Sequence, residues 1–181
     1  MAFVRKFIYF GGAAIDLAKI IIVLAVILSL VHYFIGTIFV VSGESMMPNF
    51  EDGQIVWSNK IGYITGNPDR GDSVVVLYPG DPSKKRYIKR VVGLPGERVI
   101  VSKGKVSISK NDVTGPLYES YLASDTISEP DGQWELKDEE YFLMGDNRPN
   151  SNDSRFFGPV ERRFIFGHAT LIIWPDFKQT Q

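Results

Sequence analysis

The sequence predicts a mainly β protein, a folded sheet or partly open barrel, carried on one N-terminal transmembrane helix. Three observations point there. An apolar run near the N-terminus is long enough to cross a bilayer. The chain after it breaks into short β-prone runs bounded by Gly, Pro, Asp and Asn. No segment beyond the run carries a sustained helical period. With 181 residues, the chain has room for one modest domain and an appendage, read as 1–40 and 41–181.

The first element is the anchor. From Ile20 to Val41 the chain contains no Asp, Glu, Lys or Arg, and about 20 apolar residues are what a helix needs to span the hydrocarbon core. A cleaved secretory signal has an apolar region of only ~7–15 residues that ends at a small-residue site. This run is longer and ends in Ile38, Phe39, Val40 and Val41. Arg5, Lys6 and Lys19 precede it, and the first Lys or Arg after it is Lys60. The positive-inside rule therefore keeps the N-terminus cytoplasmic and exports the rest. The β-branched and aromatic residues just before Ser42 suit a strand better than a helix.

The strands follow in order: Gln54–Ser58, Ser73–Tyr78, Tyr87–Val92, Arg98–Val101, Lys105–Ser109, Glu140–Met144 and His168–Trp174. Turn formers separate them, as at Asp52-Gly53, Arg70-Gly71-Asp72, Leu94-Pro95-Gly96 and Met144-Gly145-Asp146-Asn147. Asn111 to Lys137 is the least patterned stretch and reads as an extended excursion on the barrel edge.

Composition narrows the chemistry. There are no cysteines and two histidines, His32 and His168, so thiol catalysis, Cys-based zinc and a multi-His metal site lack material. No cofactor is expected. A net charge of -1 gives no electrostatic reason for a nucleic-acid partner.

Three segments carry the candidate chemistry. Ser45 lies in Ser42-Gly43-Glu44-Ser45-Met46-Met47-Pro48, where the glycine permits close backbone approach and Pro48 stiffens the turn. By itself a serine beside Gly and Pro is most often a turn residue. Lys89 sits in Tyr87-Ile88-Lys89-Arg90-Val91-Val92; on a strand it shares a face with Tyr87 and Val91, with Arg90 on the other. Burial there would disfavour the ammonium and lower its pKa, letting the neutral amine take a serine proton. The plain alternative makes Lys89 and Arg90 an ordinary pair of solvated charges. The third segment, Gly145 to Arg155, is dense in hydrogen-bonding residues. Asp153 and Arg155 are close enough to pair, and Ser151 or Ser154 could hold a lysine amine.

Together these segments resemble bacterial type I signal peptidases, Ser/Lys proteases that remove signal peptides from exported proteins. The resemblance rests on the anchor, Ser-Met-x-Pro, Arg70-Gly71-Asp72, Lys-Arg-x-x-Gly-x-Pro-Gly-Glu and Gly-Asp-Asn-x-x-x-Ser-x-Asp-Ser-Arg, all in the family's order. It implies a largely β protease domain beside the bacterial cytoplasmic membrane, with membrane lipid and the signal peptides of preproteins as partners. It implies Ser45 as nucleophile, Lys89 as general base, Ser151 orienting the amine, Asp153 and Arg155 bracing that loop, and Asp146 in a structural role. Phe39, Val41, Met46, Phe50, Tyr87 and Ile88 would line shallow pockets that select Ala-x-Ala cleavage sites.

Two departures stand out. Some relatives place a serine hydroxyl two positions before the nucleophile, where this chain has Gly43, which leaves the Ser45 N–H as the surer oxyanion donor. The span from Gly96 to Gly145 is also short, so the large extra domain of some relatives is expected to be absent or rudimentary. The family's eukaryotic reticulum members use His at the Lys89 position, which favours the bacterial or organelle-derived branch. The other readings are a self-cleaving Ser/Lys repressor, a tethered binding module with a dead site, and a processing peptidase of narrow range.

Overall fold

The computed structural model describes residues 2–78 and 85–180. The chain divides into two compact units, Met1–Gly36 and Thr37–Gln181.

In the first unit α1 spans Ala2–Leu30 and continues as a wider π turn over Val31–Ile35. Within it, Ile15–Ile35 forms a stretch of 21 residues of membrane-spanning length and apolarity, with none of its window buried inside the protein. Such a helix hides no face against its own chain, which fits an apolar surround. The flanking charges Arg5 and Lys6 lie outside the described side chains. The apolar run read from the sequence does not stay helical to its end, because its last part, Gly36–Val40, is strand β1.

The second unit is mainly β. Its strands are β2 (Ile55–Asn59), β3 (Ser73–Leu77), β4 (Arg86–Gly93), β5 (Arg98–Ser102), β6 (Lys105–Lys110), β7 (Val113–Pro116), β8 (Gly132–Glu135), β9 (Glu140–Met144), β10 (Val160–Glu161), β11 (Ile165–Trp174) and β12 (Lys178–Gln179). Among the described residues the α-helices that interrupt them are short, α2 (Ile61–Thr65) and α3 (Ser154–Phe157). Among the described residues one sheet runs β1-β2-β11-β3-β4-β9-β10 with β12 beside β11, and a second runs β7-β6-β5-β8. The edge strands β1 and β10 do not meet, so the larger sheet stays open. Each strand read from the sequence is present within a few residues. The excursion over 111–137 is corrected: β7 and β8 fall inside it and pair with β6 and β5 to build the second sheet. Their Gly115, Pro116 and Gly132 read as turn formers locally, and the pairing is set by partners outside the segment.

Three apolar clusters fill the unit. One gathers Val41, Met46, Phe50, Val56, Ile88, Ala169 and Ile172, with Phe39 against it. The second holds Val74, Val76, Val91, Tyr141, Leu143, Val160 and Ile165, and the third joins Val92, Phe142 and Met144 of the large sheet to Val99, Val101, Val106 and Leu136. Strand β4 contributes to all three, through Ile88, Val91 and Val92. That triple burial explains why the strand is apolar beyond one face and why its two buried cations, Lys89 and Arg90, need specific partners.

Gly93 ends β4 at a register shift against β9. A Cβ at this position would overlap Val99, Leu136 and Phe142 side chains. Overpacking of this kind costs typically ~1–3 kcal/mol. Gly93→Ala is therefore expected to lower the thermal unfolding midpoint by several degrees, and Gly93→Val by more; unchanged midpoints would mean that the junction between the sheets repacks freely.

Candidate active site

Lys89 lies near the middle of β4, paired across the sheet with Val74 of β3. Its neighbours two positions away, Tyr87 and Val91, pack in one apolar cluster while Ile88 packs in another, so the alternation read from the sequence holds. The Lys89 side chain is buried, and Nζ lies 2.7 Å from Ser45 Oγ and 3.2 Å from Ser151 Oγ. Burial lowers its pKa to about 8 from 10.5, while the carboxylates of Asp153 and Asp146 push it up and Arg155 pushes it down. Desolvation prevails over the two nearby negative charges.

Ser45 sits in the turn between β1 and β2. Gly43 takes φ +91 there, and its N–H donates to Asp52 Oδ1 at 2.7 Å. Met47 N–H bonds the Glu44 carbonyl and Phe50 N–H the Met46 carbonyl, so the segment coils tightly onto the cluster that holds Met46 and Phe50.

The segment after β9 closes the site. Gly145 is needed sterically: a Cβ would collide with the Ser45 carbonyl and the Ser151 side chain. Asp146 forms a buried ion pair with Arg90, Nη2 to Oδ2 at 2.6 Å and Nε to Oδ1 at 3.1 Å, and accepts from Asn49 Nδ2 at 2.8 Å. Asn147 N–H donates to the Ser45 carbonyl at 3.1 Å, and its Nδ2 donates to the Glu44 carbonyl at 3.0 Å. Asp153 caps α3, accepting from Arg155 N–H, and is gripped by Arg155 Nε and Nη2, both at 2.8 Å. Burial by itself would raise the Asp153 pKa, but the Arg155 guanidinium, the Gly145 N–H and the Ser151 hydroxyl hold it below the ordinary carboxylate range. Ser151 thus links the Asp153 carboxylate to the Lys89 amine. The choice between the two serines resolves here, since Ser154 Oγ accepts from Leu143 N–H at 3.0 Å and belongs to the loop's own bracing.

The structure gathers Ser45, Lys89, Ser151, Asp146, Asp153 and Arg155 in one place. Of the six pocket candidates it collects Phe39, Val41, Met46, Phe50 and Ile88 in one cluster. Tyr87 packs in another, beside Tyr78.

Sequence reasoning missed several participants. Arg90, to which the sequence assigned no role, is 1 % exposed; besides Asp146 it reaches the Gly71 carbonyl and lies over the Tyr121 ring at 4.3 Å. Arg148 is equally buried, bound to Glu119, Ser128 and the Gly145 carbonyl. Glu119 and Tyr121 come from the unpatterned stretch, and only the threefold Arg content near the site hinted that buried acids must answer it. Arg70 binds Glu97 through both carboxylate oxygens, which ties Arg70-Gly71-Asp72 to the Pro-Gly-Glu turn after β4.

Comparison with known proteins identifies the family. The family model described as signal peptidase, peptidase S26, matches residues 14–174. A signal peptidase I of Leptolyngbya laminosa is 37% identical over 163 residues, covering 84% of this chain and 76% of its own. One from Bacillus amyloliquefaciens is 33% identical over 175 residues, covering 90% and 88%. A crystal structure of a signal peptidase I from Enterococcus faecalis aligns with 57% of this chain and 97% of its own at 28% identity and a TM-score of 0.48. With a family match across most of its length and relatives above 30% identity, this chain is a member of the signal peptidase family, peptidase S26.

Proposed function

We propose that this serine endopeptidase removes signal peptides from exported preproteins with Ser45 as nucleophile and Lys89 as general base. The observation that carries the reading is the 2.7 Å approach of Lys89 Nζ to Ser45 Oγ in a site where burial brings the amine's pKa down to about 8. A neutral amine has one lone pair and two N–H bonds. With one N–H donated to Ser151, itself donating to Asp153, the lone pair is left available to take the proton of the Ser45 hydroxyl 2.7 Å away.

Ser45 Oγ attacks the scissile carbonyl as its proton passes to Lys89 Nζ. The oxyanion is held by the Ser45 N–H; the Gly43 N–H is committed to Asp52. Collapse of the intermediate breaks the C–N bond, and Lys89 returns the proton to the leaving amine. The acyl-enzyme then loses its acyl group to a water that Lys89 deprotonates, and the proton goes back to Ser45. Asp146, Asp153 and Arg155 hold the loop and the field around the amine without touching substrate.

The cluster of Phe39, Val41, Met46, Phe50 and Ile88 supplies the apolar floor for side chains just before the cut. Met46 and Phe50 are at most 1 % exposed, so little depth remains, which suits Ala-x-Ala sites. The apolar helix anchors the enzyme in the bacterial cytoplasmic membrane, with the N-terminus cytoplasmic and residues beyond the anchor outside. The membrane lipid then delivers the signal peptide's apolar core beside the site.

Cleavage of a preprotein bearing an Ala-x-Ala site, assayed in detergent or lipid, tests the assignment. Wild type is expected to cut after the final Ala, and Ser45→Ala and Lys89→Ala to lose at least about a thousandfold in rate. Equal cutting by Lys89→Ala would place the base elsewhere. The same assay across pH should show kcat rising through about pH 8, because the base must be neutral; a flat profile from pH 6 to 9 would contradict a lysine base.

The lowered pKa also bears on stability. Between about 8 and 10.5 the unfolded chain binds the proton that the folded chain lacks, so stability rises with pH across that window and the penalty is complete below it. The penalty is on the order of 3 kcal/mol before lost hydrogen bonds are counted. Lys89→Met should therefore unfold at a higher temperature than wild type at pH 7, with the advantage shrinking towards pH 10.5. A variant less stable at every pH would show that the amine's contacts outweigh its desolvation.

A further inference from the structure

Asn147 touches the nucleophile segment twice. Its backbone N–H donates to the Ser45 carbonyl at 3.1 Å, and its side-chain Nδ2 donates to the Glu44 carbonyl at 3.0 Å. These two carbonyls belong to the peptide units on either side of the Ser45 Cα. The first of them, between Glu44 and Ser45, also contains the Ser45 N–H. A planar peptide fixes C=O and N–H antiparallel. Whatever holds the Glu44 carbonyl therefore aims the Ser45 N–H.

We infer that Asn147 is a positioning residue for the oxyanion donor: its side-chain amide fixes and polarises the Glu44–Ser45 peptide so that the Ser45 N–H meets the charge developing on the scissile carbonyl. The inference rests on the assignment of Ser45 as nucleophile. Two effects act together. A hydrogen bond accepted by a peptide carbonyl makes the same peptide's N–H a stronger donor, by ~10–30%. The second effect is preorganisation, since a donor already aimed needs no reorganisation as the oxyanion forms. Within the turn the Glu44 carbonyl also accepts from Met47 N–H at 3.1 Å, so the Asn147 amide is its second donor and the one that comes from outside the segment; Gly43, two residues earlier, is at φ +91, and Glu44 and Gly43 are exposed. Across the clamp, Asn147 is rigidly based. Gly145 packs against the Ser45 carbonyl, Asp146 is locked to Arg90 and Asn49, and Arg148 is buried among Glu119, Ser128 and Gly145. The same base explains how a site with Gly43 in place of a hydroxyl-bearing residue could rely on one well-held backbone donor.

Asn147→Asp keeps shape but replaces the Nδ2 donor by a carboxylate oxygen facing a carbonyl, and Asn147→Ala removes the contact. Both are to be compared with wild type as the full-length enzyme in detergent, using a preprotein with an Ala-x-Ala site. The expected result is a fall in kcat of about 10- to 100-fold in both, smaller than the ~100- to 1,000-fold loss of a whole oxyanion donor. KM and the pH midpoint set by Lys89 should stay within twofold and a few tenths of a pH unit. A thioamide at the scissile bond gives the readout that a merely structural loop contact would not move. Sulfur is a poor match to an oxyanion donor, so the rate penalty for the thioamide should shrink in both variants relative to wild type. An undiminished thioamide penalty, a kcat within twofold of wild type, a loss confined to KM, or a shifted pH midpoint would each overturn the assignment. If either variant unfolds before the assay temperature, the clamp is a folding element and the positioning role is rejected for it. Retained cleavage by Ser45→Ala in the same assay would instead remove the nucleophile assignment beneath it.

Discussion

The Lys89 amine is held against its own preference to be charged, and much of the domain is arranged around that imbalance. Burial favours the neutral form; the carboxylates of Asp146 and Asp153 favour the ammonium. The outcome is decided by how those carboxylates are themselves compensated. Arg90 pairs with Asp146 and Arg155 with Asp153, each at about 0–1 % side-chain exposure. To the lysine each pair presents a dipole more than a net charge, so desolvation prevails. Such pairs are expensive to bury and gain little net stability, but breaking one by removing the arginine would leave an uncompensated carboxylate beside the amine. Their contribution is to the field at Lys89 more than to the free energy of folding.

Strand β4 makes this possible because it is interior to the large sheet, between β3 and β9, and joins three apolar clusters. Successive side chains leave it in opposite directions, so Lys89 meets Ser45 while Arg90, paired across from Met144, reaches Asp146 at the start of the next loop. One strand thereby delivers the proposed base and the cation that neutralises its neighbour. The loop after β9 returns both halves to the nucleophile, with Asp146 on Arg90, Asn147 on the Glu44–Ser45 peptide and Ser151 on the amine.

What the sequence made legible follows from the range of the interactions. Strands with regular β-branched runs, such as Ser73–Leu77, carry their signal locally, as does the alternation that isolates Lys89 from Arg90. The gathering of Ser45, Lys89 and Ser151 became readable through the order of three motifs, not through any one of them. Arg90 received no role from the sequence because a Lys-Arg pair carries no mark of burial; its partners, Asp146 and Tyr121, are 56 and 31 residues away by sequence number. Arg148 and Glu119 are separated by 29 residues, and Glu119 lies in the stretch with no pattern of its own. Strands β7 and β8 were missed for the same reason, since Gly115-Pro116 and Gly132 argue locally for turns and only pairing with β6 and β5 makes them strands.

The density of polar residues from Gly145 to Arg155 now has a physical account. A loop passing through a nearly dry site must satisfy its own backbone and still leave particular groups aimed at the nucleophile. Arg155 binds the Arg148 carbonyl, the Ser151 carbonyl and the Glu129 carbonyl in addition to Asp153, and Arg148 takes the Gly145 carbonyl. Two arginines thus absorb three backbone acceptors that the loop does not pair internally, and a fourth, the Glu129 carbonyl, from the segment before β8. The short polar side chains are then free for other work: Ser154 braces β9 through Leu143, Ser151 relays between Asp153 and Lys89, and Asn147 holds the peptide before Ser45. The arginines secure the loop and the small residues act through it. A charge-conserving change to lysine at Arg155 would keep the charge but lose the planar fork that serves several acceptors at once, so the site depends on the shape of its cations as much as on their sign.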